Sequence, residues 1–364
     1  MFLMITSKTK KAIVIAIVSI ALLFGIFIAG YICIQSWIPR GGAVIAGTIV
    51  DNDYNNYLSN GNLVRIGDTL YYNYVRSPFA YGLMEISESG SKRIYWEGLK
   101  SGYYRVSFPL RQCDGQLLMA PDEQTLFYSR KTKKFELYTA PSPIESLPIC
   151  YQKSDDKIIY LVRDNPESPQ NERRRILLYQ DGAITELAAA PAIYTFYMVG
   201  NDVYYLIQLD YEEFEFRKYN LLDKTDISIR KLYCYTEVYN FIIEGDYLVF
   251  AGCNELQNYA PYSIFKFNLN SSDKTVETVQ SGKPHASDYM FDITAFNAFN
   301  GHIYVASMFG LTAYDVVTNE SQRLYDGYVE ECYIVDDTWV YFVNDNAELW
   351  RIPQIGGTAE KVYG

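Results

Sequence analysis

The sequence predicts an all-β fold, a β-propeller of about seven four-stranded blades preceded by one transmembrane helix. Three observations carry that prediction. Seven times, a turn dipeptide of Gly, Asn or Asp introduces a strand rich in Tyr, Ile, Leu and Val, beginning at Gly67, Asp114, Asp155, Asn201, Gly245, Asn300 and Asp336. The intervals run from 36 to 55 residues and average close to 45, the length of one four-stranded blade. Tyrosine supplies 35 of the 364 residues, and an aromatic, β-branched composition suits strands better than helices. Neither a 3.6-residue period nor a fixed Leu spacing marks the repeat, which excludes helical and leucine-rich arrays.

The N-terminus is a different kind of sequence. Residues 1–11 form a short tail carrying Lys8, Lys10 and Lys11. Ala12 to Ile34 is a run of 23 uncharged residues, long enough at about 1.5 Å per residue to cross a hydrocarbon core of about 30 Å. A transmembrane helix is expected over 12–36. The lysines before it and the single Arg40 close behind it place the N-terminus in the cytoplasm and the C-terminal domain outside the cell.

Residues 37–61 read as a juxtamembrane linker. Within it Ala43 to Val50 has the composition of a strand that pairs with the body. Asp51, Asp53 and Asn55 alternate like the start of a calcium loop, but Asn56 and Asn62 stand where Gly and Glu are needed. No metal site is expected.

The propeller is expected over 62–364. After each dipeptide strand comes a second strand, near Leu83, Leu126, Ile176, Phe216, Ile264, Thr312 and Leu349, and then a polar turn and a more polar third strand. A further apolar stretch precedes each dipeptide, giving four strands per unit. The uneven intervals leave six or eight blades open. In the last unit Thr338 to Val343 (TWVYFV) puts Trp339, Tyr341 and Val343 on one face and Val340 and Phe342 on the other. Both faces are apolar, so this strand is expected to be covered on both sides.

That last unit also carries a resemblance. Tyr341-Phe342-Val343-Asn344, Leu349-Trp350-Arg351-Ile352 and Gly356-Gly357 resemble the repeat of the uncharacterised membrane-anchored β-propellers of Gram-positive bacteria, which look like propellers of the low-density-lipoprotein-receptor type. The usual acidic residue before the glycine is replaced by Ile355. The resemblance implies fold and location; its motif holds no catalytic residue.

Charge narrows the function classes. The first forty residues carry four bases and no acid, leaving 28 bases against 43 acids, a net charge of −15, for the remainder. Phosphate backbones repel such a domain, so nucleic acid is not an expected partner. Five cysteines beyond the anchor are odd in number and lack a C-x-x-C pair; buried thiols are expected rather than a disulfide framework or zinc site. No G-x-S-x-G, H-E-x-x-H, P-loop or G-x-G-x-x-G pattern occurs, so no catalytic residue and no cofactor is assigned.

In a four-stranded meander, the loops between second and third strands and those between blades emerge on one face, and loops on a rigid scaffold carry function. The expected ligand-binding residues of that face are Tyr103, Tyr104, Tyr235, Tyr259, Tyr262, His285, Asp288, Tyr289 and Tyr328, because exposed Tyr offers flat amphipathic contact area. The functional expectation is a non-catalytic binding or sensing module for a protein, peptide or glycan partner. The alternatives are a propeller enzyme acting on cell-envelope glycans and a structural part of an envelope complex.

Overall fold

In the computed structural model, seven consecutive four-stranded antiparallel meanders follow one another along the chain, the second widened to a six-stranded sheet by two short strands of the linker. The structure describes residues 15–26, 42–43 and 49–50, and then 62–364 apart from 76–80, 97–109, 114–115, 120–124, 139–147, 155–156, 165–172, 211, 234, 236, 254–261, 274 and 283–291. The blades span 63–96, 110–138, 148–190, 193–233, 237–280, 293–326 and 329–363. In every blade the strands pair in chain order, innermost first. The sequence units therefore begin one strand inside each blade, as the apolar stretch before each dipeptide implied.

Packing between blades makes the core. In blade 7, Tyr341 and Val343 lie against Leu63, Tyr72 and Met84 of blade 1, while Val340 and Phe342 lie against Tyr304, Ala306 and Leu311 of blade 6. The strand is covered on both faces, as its composition required. Between blades 4 and 5, Phe216 meets Phe241, Phe250 and Phe267 with centroids 5.3, 5.3 and 5.8 Å away. Burying each such ring contributes about 1.5–3 kcal/mol, so blade contacts, rather than any single sheet, hold the ring.

Closure uses no exchanged strand. Blades 1 and 7 each contain four consecutive strands, and they meet through the apolar cluster above plus polar contacts at both ends. Arg65 pairs with Asp336 at 3.1 Å and donates to the Tyr341 hydroxyl at 2.7 Å. At the other end the Asn62 amide donates to Glu331 at 3.1 and 3.3 Å.

Turns follow local chemistry. Asp181-Gly182 and Asn300-Gly301 both have positive φ at each position, the pairing that two-residue hairpins demand. Bulges recur where the first and second strands pair in blades 3 to 7, near Pro148, Ile193, Val238, Ile293 and Val329. They twist the inner strands beside the loop face.

The linker joins the second blade. Gly42–Ala43 pairs parallel with the outer strand Lys134–Tyr138, and Ile49–Val50 pairs antiparallel with the inner strand Leu110–Cys113. Of the strand expected over 43–50, residues 43 and 49–50 are described and lie in strands at opposite edges of one blade; residues 44–48 lie outside the described set.

The membrane expectation fares differently. The described helix covers residues 15–26, twelve residues, all exposed, or about 18 Å of length. No helix among the described residues is long and apolar enough to cross a membrane, so the single-pass span over 12–36 is not supported; its remaining residues lie outside the described set.

Candidate functional site

The first strand of each blade starts, and the last strand ends, on the loop face. The best-described part of that face is where blades 6, 7 and 1 meet around the axis. Asn62 precedes the first inner strand and is buried. Its backbone carbonyl accepts from Asn73 N at 2.8 Å, and its side-chain oxygen accepts from the Asn73 amide at 3.3 Å. Its own amide donates to Glu331, which also accepts the Tyr333 hydroxyl. Burial, then the neighbouring Glu331 charge, pushes the Tyr333 hydroxyl well above its ordinary value. It stays protonated and remains the donor.

Glu331 reaches this position through local backbone geometry. The inner strand Val329–Ile334 carries a bulge between Val329 and Glu331, which leaves Glu330 and Glu331 both half-buried near the axis. The neighbouring inner strand of blade 6 is tied to it by the Thr294 hydroxyl, donating to Val329 O at 2.6 Å. Two residues earlier, Asp292 is 4% exposed and one of its carboxylate oxygens is buried with no hydrogen-bond partner among the described residues. The outcome is an acidic, polar mouth whose carboxylates suit N–H groups or a cation.

A further carboxylate, Glu348, stands in the turn between the second and third strands of blade 7. Glu348 accepts from Lys361 at 2.7 Å, Asn344 at 3.0 Å and Trp350 Nε1 at 3.0 Å. These bonds hold its pKa down at about 2. Trp350 is thereby engaged in packing and in this bond, and Arg351 is stacked over Trp339 at 4.3 Å and paired with Glu360 at 2.7 Å.

Of the residues expected to bind ligand, three are described. Tyr235 is a correction: it is buried, with ring centroids 5.9 Å from Phe250 and 5.5 Å from Phe265. It seals blade 4 against blade 5 because its flat ring fills an inter-blade gap that a loop position does not reveal. Tyr262 and Tyr328 are half-buried at the starts of strands in blades 5 and 7. Tyr103, Tyr104, Tyr259, His285, Asp288 and Tyr289 lie outside the described residues.

Asn62, Asn73, Asp292, Glu331 and Tyr333 escaped the sequence reading. Two signals pointed to them: Asn73 interrupts an apolar strand, TLYYNYV, and Glu330-Glu331 interrupts another, YVEECYIV. Polar residues in such runs mark buried hydrogen-bonded sites.

Among the described residues no group of three or more His, Cys, Asp and Glu side chains could hold a metal ion. His302 is half-buried on the opposite face, its Nδ1 3.0 Å from Asn300 O. Cys253 and Cys332 are buried, and burial pushes the Cys332 thiol up.

No protein-family model and no curated protein matches the chain. Solved structures do. Puromycin hydrolase superposes with a TM-score of 0.59 at 11% identity, over 88% of this chain and 57% of that one. A Mycobacterium tuberculosis puromycin-hydrolyzing peptidase gives 0.55 at 12%, over 89% and 57%. The Pyrococcus horikoshii acylaminoacyl peptidase gives 0.52 at 11%, over 81% and 50%. The chain spans between half and three-fifths of the length of these proteins, and at such identity the likeness is one of fold. These matches correct the expectation of a non-catalytic binding or sensing module in one respect: several of the solved structures that superpose on this chain are peptidases, although a Kuenenia stuttgartiensis hydrazine synthase also superposes, with a TM-score of 0.54 at 10% identity, over 86% of this chain and 100% of that one.

Proposed function

We propose that this chain serves as the propeller of a peptide-hydrolysing enzyme, admitting and orienting a peptide or aminoacyl amide at the mouth formed by blades 6, 7 and 1. The observation that carries the proposal is the superposition on puromycin hydrolase over 88% of the chain. The chemistry of the mouth supports it. Peptides present N–H donors and, at their N-terminus, an ammonium; Glu331, Glu330 and Asp292 offer half-buried or buried carboxylate oxygens beside the axis. A carboxylate in such a setting binds a cationic or N–H group more strongly than in water.

In the same reading the uncharged run Ala12 to Ile34 holds the chain at a membrane. The propeller then works outside the cell on peptides reaching the envelope.

The test is turnover of puromycin and of acylaminoacyl amides by the purified full-length chain, with binding followed by saturation-transfer NMR. Binding of these amides that weakens about tenfold or more in Glu331→Gln through loss of a charged contact, with or without turnover, is the expected result. Neither turnover nor binding of these amides would overturn the proposal.

A further inference from the structure

The outer hairpin of blade 2 departs from the charge of the rest of the molecule. Four of the five residues in Arg130-Lys131-Thr132-Lys133-Lys134 are basic, within a region of net charge −15. The other outer hairpins are acidic, neutral or balanced: Glu88-Ser89, Asp181-Gly182, Asp223-Lys224, Ser272-Asp273, Asn319-Glu320 and Gly356-Gly357. The turn is firmly built. Lys133 N donates to Ser129 O at 2.7 Å, and Thr132 N to the Ser129 hydroxyl at 3.2 Å. Lys133 itself sits at φ 57°, the left-handed position of the turn.

Lys92 of blade 1 extends this patch. Its ammonium is 3.9 Å from Glu85, and that of Lys133 is 3.2 Å from the same carboxylate. One acid thus anchors two lysines. Lys131 and Lys134 are exposed and make no ion pair among the described residues.

The direction of the linker says what faces the patch. Gly42–Ala43 runs parallel to Lys134–Tyr138, with Gly42 opposite Leu137 and Ala43 opposite Tyr138. Gly42, the earlier residue of this piece, therefore lies on the side nearer Lys134. Fifteen residues, 27–41, separate it from the apolar helix over 15–26, a reach of at most about 50 Å. The helix exposes Ile15, Ile17, Val18, Ile20, Leu22, Leu23, Phe24 and Ile26.

We infer that the hairpin Arg130 to Lys134, with Lys92, docks on an anionic lipid surface and turns the hairpin side of blades 1 and 2 toward the membrane; this rests on the anchoring by Ala12 to Ile34 proposed above. An apolar segment and a basic patch are two signals whose sum gives firmer attachment to an anionic membrane than the apolar segment alone. The acidic remainder of the domain is repelled by the same surface, so the patch fixes orientation.

The experiment is flotation of the full-length chain with phosphatidylcholine vesicles, with and without phosphatidylglycerol. Wild type is expected to prefer the anionic vesicles by roughly fivefold or more, and Lys131→Glu with Lys134→Glu to abolish that preference. Lys224→Glu, a charge reversal in the corresponding turn of blade 4, should change it less than about twofold. Binding to plain phosphatidylcholine reports the anchoring segment alone and should persist in every variant; its absence would reject the anchoring while the anionic preference still judged the hairpin. An undiminished preference in the double variant, or an equal loss in Lys224→Glu, would overturn the docking. So would hairpin-dependent binding to soluble polyphosphate without any preference between vesicles.

Discussion

The Arg65 guanidinium lies 3.1 Å from the Asp336 carboxylate and joins the first blade's inner strand to the turn that opens the last blade's second strand. The two residues are far apart in sequence, and among the described residues no strand is exchanged between the two blades they join. Asp336 also accepts from Thr338 N at 2.9 Å and Trp339 N at 2.8 Å, so one carboxylate shapes the turn and closes the ring.

This arrangement makes the seam pair worth more than an ordinary surface pair. Arg65→Ala and Asp336→Asn should each lower stability by about 1–2 kcal/mol, with a coupling near 1 kcal/mol in a double-mutant cycle. Arg351 and Glu360 sit closer, at 2.7 Å, but lie within one blade and are more exposed; their coupling should stay below about 0.5 kcal/mol. Urea unfolding of the two cycles decides the matter. Equal couplings would show that the seam places no special demand on its ion pair.

Gly310 tests how tightly the loop-face turn of blade 6 is built. It has φ +147°, and a Cβ there would lie 2.0 Å from the Tyr325 carbonyl oxygen and 2.6 Å from the Arg323 guanidinium. Gly90 has φ +122° with nothing within 4 Å. Alanine at either position is strained, but only at 310 must a neighbouring strand move. Gly90→Ala should cost about 1 kcal/mol and Gly310→Ala about 3 kcal/mol or more. Chemical denaturation giving Gly310→Ala the smaller loss would contradict the clash.

The ring itself was legible because its repeat is written in local chemistry. Asp181-Gly182 and Asn300-Gly301 announce turns through residues that tolerate positive φ, and Val340 and Tyr341 alternate because neighbouring blades cover both faces of their strand. The outer hairpin of blade 2 gave no such signal, since its left-handed position is filled by Lys133, a residue with no turn preference. Tyr235 was misplaced for a related reason: tyrosine serves equally as an exposed contact and as a buried spacer, and only the approach of Phe250 and Phe265 decides between them. The mouth was hidden more deeply. Asn62 and Glu331 are 269 residues apart, and nothing in either local segment says that ring closure will bring them within hydrogen-bonding distance.

Glu244 and Glu348 should respond to pH with opposite signs. Glu244 ends the inner strand of blade 5 and accepts from Gly301 N at 2.8 Å. Burial raises its pKa, more than this bond and the nearby His302 lower it. A raised folded-state value means that its contribution is fully favourable below the unfolded pKa and is lost as pH rises through the folded one. Glu244→Gln keeps an acceptor for Gly301 without the charge, so it should match wild type in acid and exceed it in Tm at neutral pH. Glu348 is the reverse. Its value falls to about 2 through its bonds from Lys361, Asn344 and Trp350, so its contribution is present above the unfolded value near 4.5 and disappears as pH drops toward 2. Glu348→Gln should therefore be less stable than wild type at neutral pH, with the gap closing between about pH 4.5 and 2. Thermal unfolding of both variants across that range gives two differences that diverge in the same direction of pH but with opposite sign. If Glu244→Gln instead lost stability at neutral pH, the buried carboxylate would have to be a net contributor in its charged form, and the balance of burial against the Gly301 bond drawn from this structure would be wrong.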